Sequence, residues 1–243
     1  MSLTDEAEAI PRKTMVLFFL IDTSGSMVGD KIGAINSAIE EVIPDLRDLS
    51  ASNADAQIKV AALEFASGVR WITANGPVDL EQFRWNYLDA SGVTDLGDAC
   101  KSLHEKLSTK AFMREATGSF APAIFLLSDG EPTDDYEGGL SLLKQNNWFK
   151  QAIKVAVAIG EDANKTVLEQ FTGTAEAVLE VHNRAMLKKM IKFVSVRASE
   201  VASKSVHIGD LRDADSGTKQ QDLNNQLGEI REEGANANAD EEW

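Results

Sequence analysis

A short apolar run near the N-terminus constrains the fold of this chain more than any other feature. Residues 15–21 form seven consecutive apolar positions, and Asp22 ends the run. A strand that is apolar at every position is buried on both faces, which is typical of central strands in a parallel sheet covered by helices on both sides. Because a transmembrane helix needs roughly 20 apolar residues, the run does not predict membrane insertion.

Five further apolar or β-branched runs alternate with segments in which apolar residues recur every three or four positions. The runs predict strands over residues 58–65, 69–73, 123–127, 153–159 and 177–181. The helical spacing predicts helices over residues 32–46, 96–107, 136–147, 164–171 and 184–202. This alternation predicts an α/β fold: a doubly wound, mostly parallel central sheet with helices on both faces and 69–73 as an antiparallel edge strand.

Composition and charge indicate where this domain ends. The chain is 43% hydrophobic and 26% charged, as globular proteins are, but residues 207–243 hold ten acidic and three basic residues and few apolar ones. A segment of this composition buries too little surface to fold by itself. We therefore expect an N-terminal arm (1–13), one domain (14–205) and a flexible acidic tail (206–243). The tail either stays solvated, with a transient helix near 219–233, or docks on a partner.

The overall charge and the cysteine content narrow the functional class. The 24 basic and 39 acidic residues give a net charge of −15, which repels nucleic-acid phosphates and anionic lipid headgroups. The single cysteine, Cys100, lies on the apolar face of a predicted helix, and the three histidines have no zinc-binding spacing. Acidic residues before the first apolar run argue against a secretion signal. We expect a cytoplasmic protein that binds neither nucleic acid nor membranes.

Oxygen-bearing side chains lie in three loops that the predicted topology brings to one edge of the sheet. In chain order they are Asp22, Ser24, Ser26, Thr94 and Asp129. The first three follow the first strand, Thr94 precedes a predicted helix, and Asp129 follows another central strand. Ligands of doubly wound sheets bind beyond the carboxyl ends of the strands. Hydroxyl and carboxylate oxygens suit a hard cation, with Mg²⁺ as the first choice and Mn²⁺ or Ca²⁺ as alternatives.

The charge of this set predicts binding rather than catalysis. Two carboxylates at most nearly neutralise a divalent ion, so the ion stays able to attract an acid from outside. Hydroxyls would fill part of the coordination shell, and one position would stay open.

The arrangement resembles the von Willebrand factor A-type domain with its metal-ion-dependent adhesion site. The family pattern is Asp-x-Ser-x-Ser after the first strand, Thr in a second loop and Asp in a third, and the five side chains above match it in order. The resemblance covers roughly residues 14–200. The second loop departs from it, because Gly92-Val93-Thr94 stands where Gly-Gly-Thr is common. The resemblance implies that an Asp or Glu of a protein partner completes the coordination of Mg²⁺ and that the domain is not an enzyme.

Within the family, the sequence resembles the bacterial TerY-like proteins of tellurium-resistance and stress operons. The cues are Asp-Thr-Ser-Gly-Ser-Met at 22–27, Gly-Asp-Lys-Ile at 29–32 and Leu-Ser-Asp-Gly-Glu-Pro-Thr-Asp-Asp at 127–135. This resemblance implies a stress-response signalling system in which the partner is a Ser/Thr protein kinase, a metal-dependent Ser/Thr phosphatase, or both, from the same operon. We expect the partner to contact a rim near the metal that consists of Met27, Trp85, Tyr87, Asp95 and Glu131. For the two aromatic residues, packing in the core is the alternative.

Other interpretations stay open at this point. Asp22 and the serines after it are also typical helix caps, and Asp134 and Asp135 fit the acids that favour a helix start. A magnesium-dependent phosphohydrolase of the haloacid-dehalogenase type is a rival, although Ser24 stands where that chemistry needs a second Asp. A third interpretation is a structural subunit with a vestigial metal site.

Overall fold

Seven strands form one sheet in the part of the chain that the structure describes. This computed structural model describes residues 12–115, 118–181 and 184–203, and near the C-terminus 220–221, 223–225 and 227–228. The strands are β1 (Lys13–Asp22), β2 (Ala56–Ala66), β3 (Gly68–Trp71), β4 (Val78–Asp79), β5 (Ala123–Ser128), β6 (Ile153–Ile159) and β7 (Val178–Val181). Every predicted run forms a strand. The sequence pattern does not predict β4, which consists of two residues.

The strand order places β1 at the centre of the sheet. The order is β3-β2-β1-β5-β6-β7, and β4 also pairs with β2. The central pairings are parallel, and β3 and β4 run antiparallel to β2. The direction of winding therefore reverses between β1 and β5, which opens a crevice at their carboxyl ends. This topology confirms the predicted mostly parallel α/β fold with its antiparallel edge strand.

The burial of β1 explains its uninterrupted apolar run. From its second residue to its last, every residue of the strand is buried. Side chains alternate between the two faces of a strand, so Leu17 and Phe19 enter one core layer while Phe18 and Leu20 enter the other. Both layers need apolar side chains, which is why no polar position interrupts the run.

Helices cover both faces of the sheet. Up to residue 203 the α-helices of the described chain are α1 (Asp30–Ser52), α2 (Leu96–Lys106), α3 (Tyr136–Leu143), α4 (Asn147–Gln151), α5 (Lys165–Thr172) and α6 (Arg184–Ser203). Buried residues of α1 and α6 share one core layer, and those of α2, α3 and α5 share the other. None of these helices combines the length and apolar character that a membrane span requires.

The predicted helix at 136–147 is divided in two. α3 ends at Leu143, and Asn146 then begins α4, where its side chain accepts hydrogen bonds from the amides of Trp148 (2.8 Å) and Phe149 (3.3 Å). An Asn in this role satisfies amides that a helix start otherwise leaves unpaired, so the chain can turn here and start a new helix. The turn places Phe149 in the core beside Phe171.

Part of the predicted flexible tail packs on the domain. The described residues between 220 and 228 are helical, and Leu223 and Leu227 are fully buried in the core layer of α1 and α6. The Gln220 side chain accepts from the amide of Lys154 and donates to its carbonyl, which ties the segment to the start of β6. The expectation of a solvated tail does not hold at these positions, because leucines four residues apart form an apolar face on one turn. The other residues of 206–243, and residues 1–11 of the predicted arm, lie outside the described residues.

Candidate metal-binding site

The carboxyl ends of β1 and β5 place the first acid of the site. In the parallel pairing Ile21 lies opposite Leu127, so the next residues, Asp22 and Ser128, lie side by side. Ser128 Oγ donates to Asp22 Oδ2 at 2.6 Å and accepts from the amide of Gly130 at 2.8 Å. Asp22 is fully buried. Its carboxylate is therefore fixed by the register of the two strands.

The first loop turns two hydroxyl groups toward each other. The amide of Ser24 donates to Asp22 Oδ1 at 2.9 Å, and the hydroxyls of Ser24 and Ser26 are 3.0 Å apart. A single turn of 3-10 helix, Gly25–Met27, follows. Ser24 precedes this turn, and its side chain makes no capping hydrogen bond to it. The helix α1 follows Gly29 and also has no side-chain capping bond at its start. The interpretation of these serines as helix caps is therefore wrong.

The second loop is joined to the first and the third by hydrogen bonds. The amide of Gly25 donates to the carbonyl of Gly92 at 3.0 Å. Thr94 is buried, its amide donates to Thr133 Oγ1 at 3.0 Å, and its carbonyl accepts from the amide of Thr133 at 2.9 Å. Val93 stands where the family pattern commonly has a glycine. This valine is tolerated because its side chain is exposed to solvent. The three loops that carry the predicted ligands thus meet at one edge of the sheet.

Gly92 itself has a strict conformational requirement. Its φ is +84°, in the left-handed region that favours glycine, and a Cβ there would lie 2.4 Å from Ser67 Oγ. The glycine lets the second loop approach the turn between β2 and β3 closely.

Asp129 provides the clearest indication of a cation-binding site. The residue is 1% exposed, and its Oδ1 is buried without a hydrogen-bond partner. Its other oxygen, Oδ2, lies 3.5 Å from Lys31 Nζ. A buried carboxylate oxygen without a partner loses its hydration without compensation, which costs about 1–3 kcal/mol or more. A cation bound at Oδ1 would remove this cost.

The electrostatics of Asp22 also favour a cation. Burial raises the pKa of Asp22, and the nearby charge of Asp129 raises it further, whereas hydrogen bonds from Ser128 and Ser24 oppose the rise. Two buried carboxylates and the hydroxyls of Ser24 and Ser26 form an oxygen-only donor set, which suits a hard divalent ion. The described residues hold no group of three or more His, Cys, Asp or Glu side chains arranged for a metal, so hydroxyls and water would complete the shell here.

A comparison with known families identifies the domain. The family model of the von Willebrand factor type A domain (VWA) matches residues 17–193, a range that contains all three loops and all of the sheet except the first four residues of β1. The chain belongs to this family. None of the curated proteins compared with it is similar enough to count as a match.

Solved structures share the VWA fold at low sequence identity. A von Willebrand factor type A protein from Catenulispora acidiphila is 18% identical with a TM-score of 0.56, over 76% of this chain and 43% of that one. Proximal thread matrix protein 1 from the mussel byssus, with a zinc-occupied metal-ion-dependent adhesion site (MIDAS) motif, is 15% identical with a TM-score of 0.55. The match covers 77% of this chain and 48% of that one. The pilus adhesin SpaC from Lactobacillus rhamnosus GG is 11% identical with a TM-score of 0.58, over 76% and 30%. This chain therefore spans less than half of each of these proteins.

The predicted rim of the VWA domain is only partly at the surface. Met27 is fully buried, so its assignment as a partner contact is wrong: the 3-10 turn directs it into the core. Trp85 is half-buried against the core, with its ring 6.4 Å from that of Phe83. Tyr87 and Glu131 are exposed. The Asp95 carboxylate accepts from the amide of Gly68 at 2.6 Å and so holds the β2–β3 turn.

Asp134 and Asp135 stabilise two different helices. Asp134 accepts from the amides of Gly97 and Asp98, both at 2.8 Å, and so caps α2. Asp135 accepts from the amide of Gly138 at 3.1 Å and caps α3. Both acids therefore serve helix starts as predicted, although Asp134 does so on a helix distant in sequence.

Three residues around the site were not assigned a role from the sequence. Ser128 orients Asp22, Thr133 holds the second loop, and Lys31 pairs with Asp129. The role of Ser128 could be predicted from the sequence, because a hydroxyl at the end of the strand beside β1 lies opposite Asp22. The roles of Thr133 and Lys31 depend on loop conformations that no local pattern specifies.

Proposed function

We propose that this VWA domain is a divalent-cation-dependent protein-binding module in which an Asp or Glu of the partner completes the coordination of Mg²⁺. The observation that supports this most directly is the buried, unpartnered Oδ1 of Asp129 beside the carboxylate of Asp22. We assign the metal to Asp22, Ser24, Ser26, Thr94 and Asp129, directly or through water. Mn²⁺ and Ca²⁺ are alternative ions for the same oxygen donors.

The residues around these ligands hold them in place before any partner arrives. Ser128 and the amide of Ser24 fix both oxygens of Asp22, and Thr133 fixes the backbone of Thr94. Outer contacts of this kind orient ligands and commonly change metal affinity 10- to 100-fold when lost. When bound, a divalent ion supplies positive charge that attracts the carboxylate of the partner.

Apolar side chains beside the ligands support a protein as the partner. Val28 follows the first loop and is 61% exposed, and Val93 in the second loop is 47% exposed. A few exposed apolar groups around a polar centre are typical of protein interfaces, in which they lose water on contact. We therefore place a contact surface around the metal that includes Val28, Val93 and the exposed Glu131.

We assign no catalytic reaction to the domain. Asp134 and Asp135, which could imitate the later paired acids of a haloacid-dehalogenase-type phosphohydrolase, are engaged at the starts of α2 and α3. Cys100 is fully buried, and burial raises the pKa of its thiol, which disfavours the nucleophilic thiolate. A generic phosphoester assay with and without Mg²⁺ checks this assignment, and metal-dependent turnover would contradict it.

The partner proposal rests on the sequence cues of the first and third loops. We propose a cytoplasmic Ser/Thr protein kinase, or a metal-dependent Ser/Thr phosphatase, of a bacterial stress response like tellurium resistance. The test is capture of a purified Ser/Thr kinase or metal-dependent Ser/Thr phosphatase of this class, in Mg²⁺ and in chelator. Wild-type protein should capture it in Mg²⁺ alone, and Asp129→Ala should not. Asp98→Ala, which removes an exposed acid of α2, is the matched control and should capture normally.

A further inference from the structure

A lysine from the first turn of α1 reaches the acid of the third loop. Lys31 Nζ lies 3.5 Å from Asp129 Oδ2 and 3.2 Å from Asp162 Oδ1. The Lys31 side chain is 15% exposed and that of Asp129 is 2% exposed, whereas that of Asp162 is 78% exposed. The ammonium group therefore lies between one buried and one solvated carboxylate.

The loop after β6 leaves room for this lysine. Gly160 has a φ of +95°, and a Cβ there would lie 2.7 Å from Lys31 Cε and 2.9 Å from Lys31 Nζ. A side chain at position 160 would therefore displace the ammonium group. Asp162 holds it from the solvent side, and the hydrogen bond from Lys31 lowers the pKa of Asp162.

The two ion pairs of Lys31 differ in the strength of their electrostatic interaction. An ion pair with a solvated carboxylate contributes little, because water screens it. The contact with Asp129 lies in a water-poor environment, in which a charge a few ångströms away changes the local potential strongly. The effect of Lys31 is therefore directed mainly at Asp129, whose Oδ1 has no partner.

We propose that Lys31 is the built-in counter-cation of the metal site and sets its metal affinity. Without metal, its charge offsets that of Asp129 and reduces the repulsion between Asp129 and Asp22. With metal, the same charge repels the divalent ion and competes for Asp129. Lys31 thereby stabilises the metal-free domain and weakens metal binding, a tuning role that rests on the function proposed above.

This role predicts opposite effects of one substitution. Lys31→Met keeps an unbranched apolar stem and removes the charge. It should lower the dissociation constant for Mg²⁺ about tenfold, since each ~1.4 kcal/mol of relieved repulsion is a factor of ten. The same variant should melt several degrees lower in chelator, because two buried carboxylates lose their counter-charge. A lysine that only packed against the loop would affect stability without tightening metal binding.

The experiment combines calorimetric titration with Mg²⁺ and thermal unfolding in chelator, at one ionic strength. Lys31→Arg keeps the charge and should behave like wild type. Lys101→Met removes an exposed charge paired with Asp98 on α2, so it controls for the change in net charge. Tighter Mg²⁺ binding and lower stability in chelator, for Lys31→Met alone, support the proposal.

The contrary outcomes are distinct. A folded Lys31→Met that binds Mg²⁺ as wild type does, or more weakly, overturns the role of Lys31 while leaving the proposed function intact. Binding by Lys31→Met but not by wild type supports the charge effect of Lys31 and overturns Mg²⁺-dependent binding by the native domain. Absence of binding by both proteins overturns the proposed function and the role of Lys31 together.

Discussion

Ser128 Oγ donates a 2.6 Å hydrogen bond to Asp22 Oδ2, and this contact joins the ends of β5 and β1 at the point where the sheet reverses its winding. Both residues are fully buried. The bond orients an acid that would otherwise lie buried with one oxygen unpaired. The geometry of the candidate site therefore begins with the pairing of two central strands.

Loss of this contact should affect stability and metal binding together. Ser128→Ala leaves Asp22 Oδ2 without its donor, and a hydrogen bond to a charged group contributes about 1.5–3 kcal/mol. We expect a loss of that order in urea unfolding and at least tenfold weaker Mg²⁺ binding by calorimetry. Ser37→Ala is the control, since its hydroxyl bonds only a carbonyl within α1. Equal behaviour of the two variants would contradict the role of Ser128.

The raised pKa of Asp22 predicts how stability changes with pH in chelator. Burial, the main cause, puts the folded-state pKa above the ordinary value of 3.8, so the folded domain binds the proton more tightly than the unfolded chain. The charged form therefore costs stability above the folded-state pKa, and the cost disappears as the pH falls toward 3.8. Asp22→Asn should be more stable than wild type at pH 7, with the difference shrinking in acid. A difference that grows in acid would contradict this.

The packing of the C-terminal segment predicts a large effect of one leucine. Leu223 is fully buried, and removal of a buried leucine side chain typically costs about 2–5 kcal/mol. Leu223→Ala should lower the free energy of unfolding by this amount, measured with urea. Leu142→Ala, at an exposed position of α3, should change it by less than about 0.5 kcal/mol. If the two variants unfold alike, the segment at 220–228 contributes nothing to the domain.

The exposed valines predict a separation of metal binding from partner binding. Val28→Asp or Val93→Asp introduces a charge beside the proposed contact surface without touching a ligand. We expect at least tenfold weaker capture of the partner, with Mg²⁺ affinity within a factor of about three of wild type. Leu142→Asp, at an exposed position near the C-terminal end of α3, is the control. Capture that survives both valine changes would place the contact surface elsewhere.

Local patterns predicted the strands and the three site loops for physical reasons. An apolar run such as β1 has one stable environment, the middle of a covered sheet, and the carboxyl ends of parallel strands converge by geometry. Asp22 and Asp129 could therefore be placed near each other from the sequence. Their role as metal ligands stays a prediction.

The features that the sequence did not predict depend on contacts between residues distant in sequence, or on the conformation of a single side chain or turn. The break between α3 and α4 follows from the capping bonds of Asn146, and the burial of Met27 follows from a single 3-10 turn. Leu223 and Leu227 form a small apolar face within an acidic segment. The overall composition of that segment does not reveal this face. Lys31 meets a partner 131 positions away.

Calorimetric titration of Mg²⁺ into the wild-type domain and into Asp129→Ala tests the central claim most directly. We predict saturable binding of one ion per chain by wild type and none by Asp129→Ala, with both proteins folded by circular dichroism. Wild-type protein that takes up no Mg²⁺, Mn²⁺ or Ca²⁺, or Asp129→Ala that binds as wild type does, would contradict the assignment of a metal to this site.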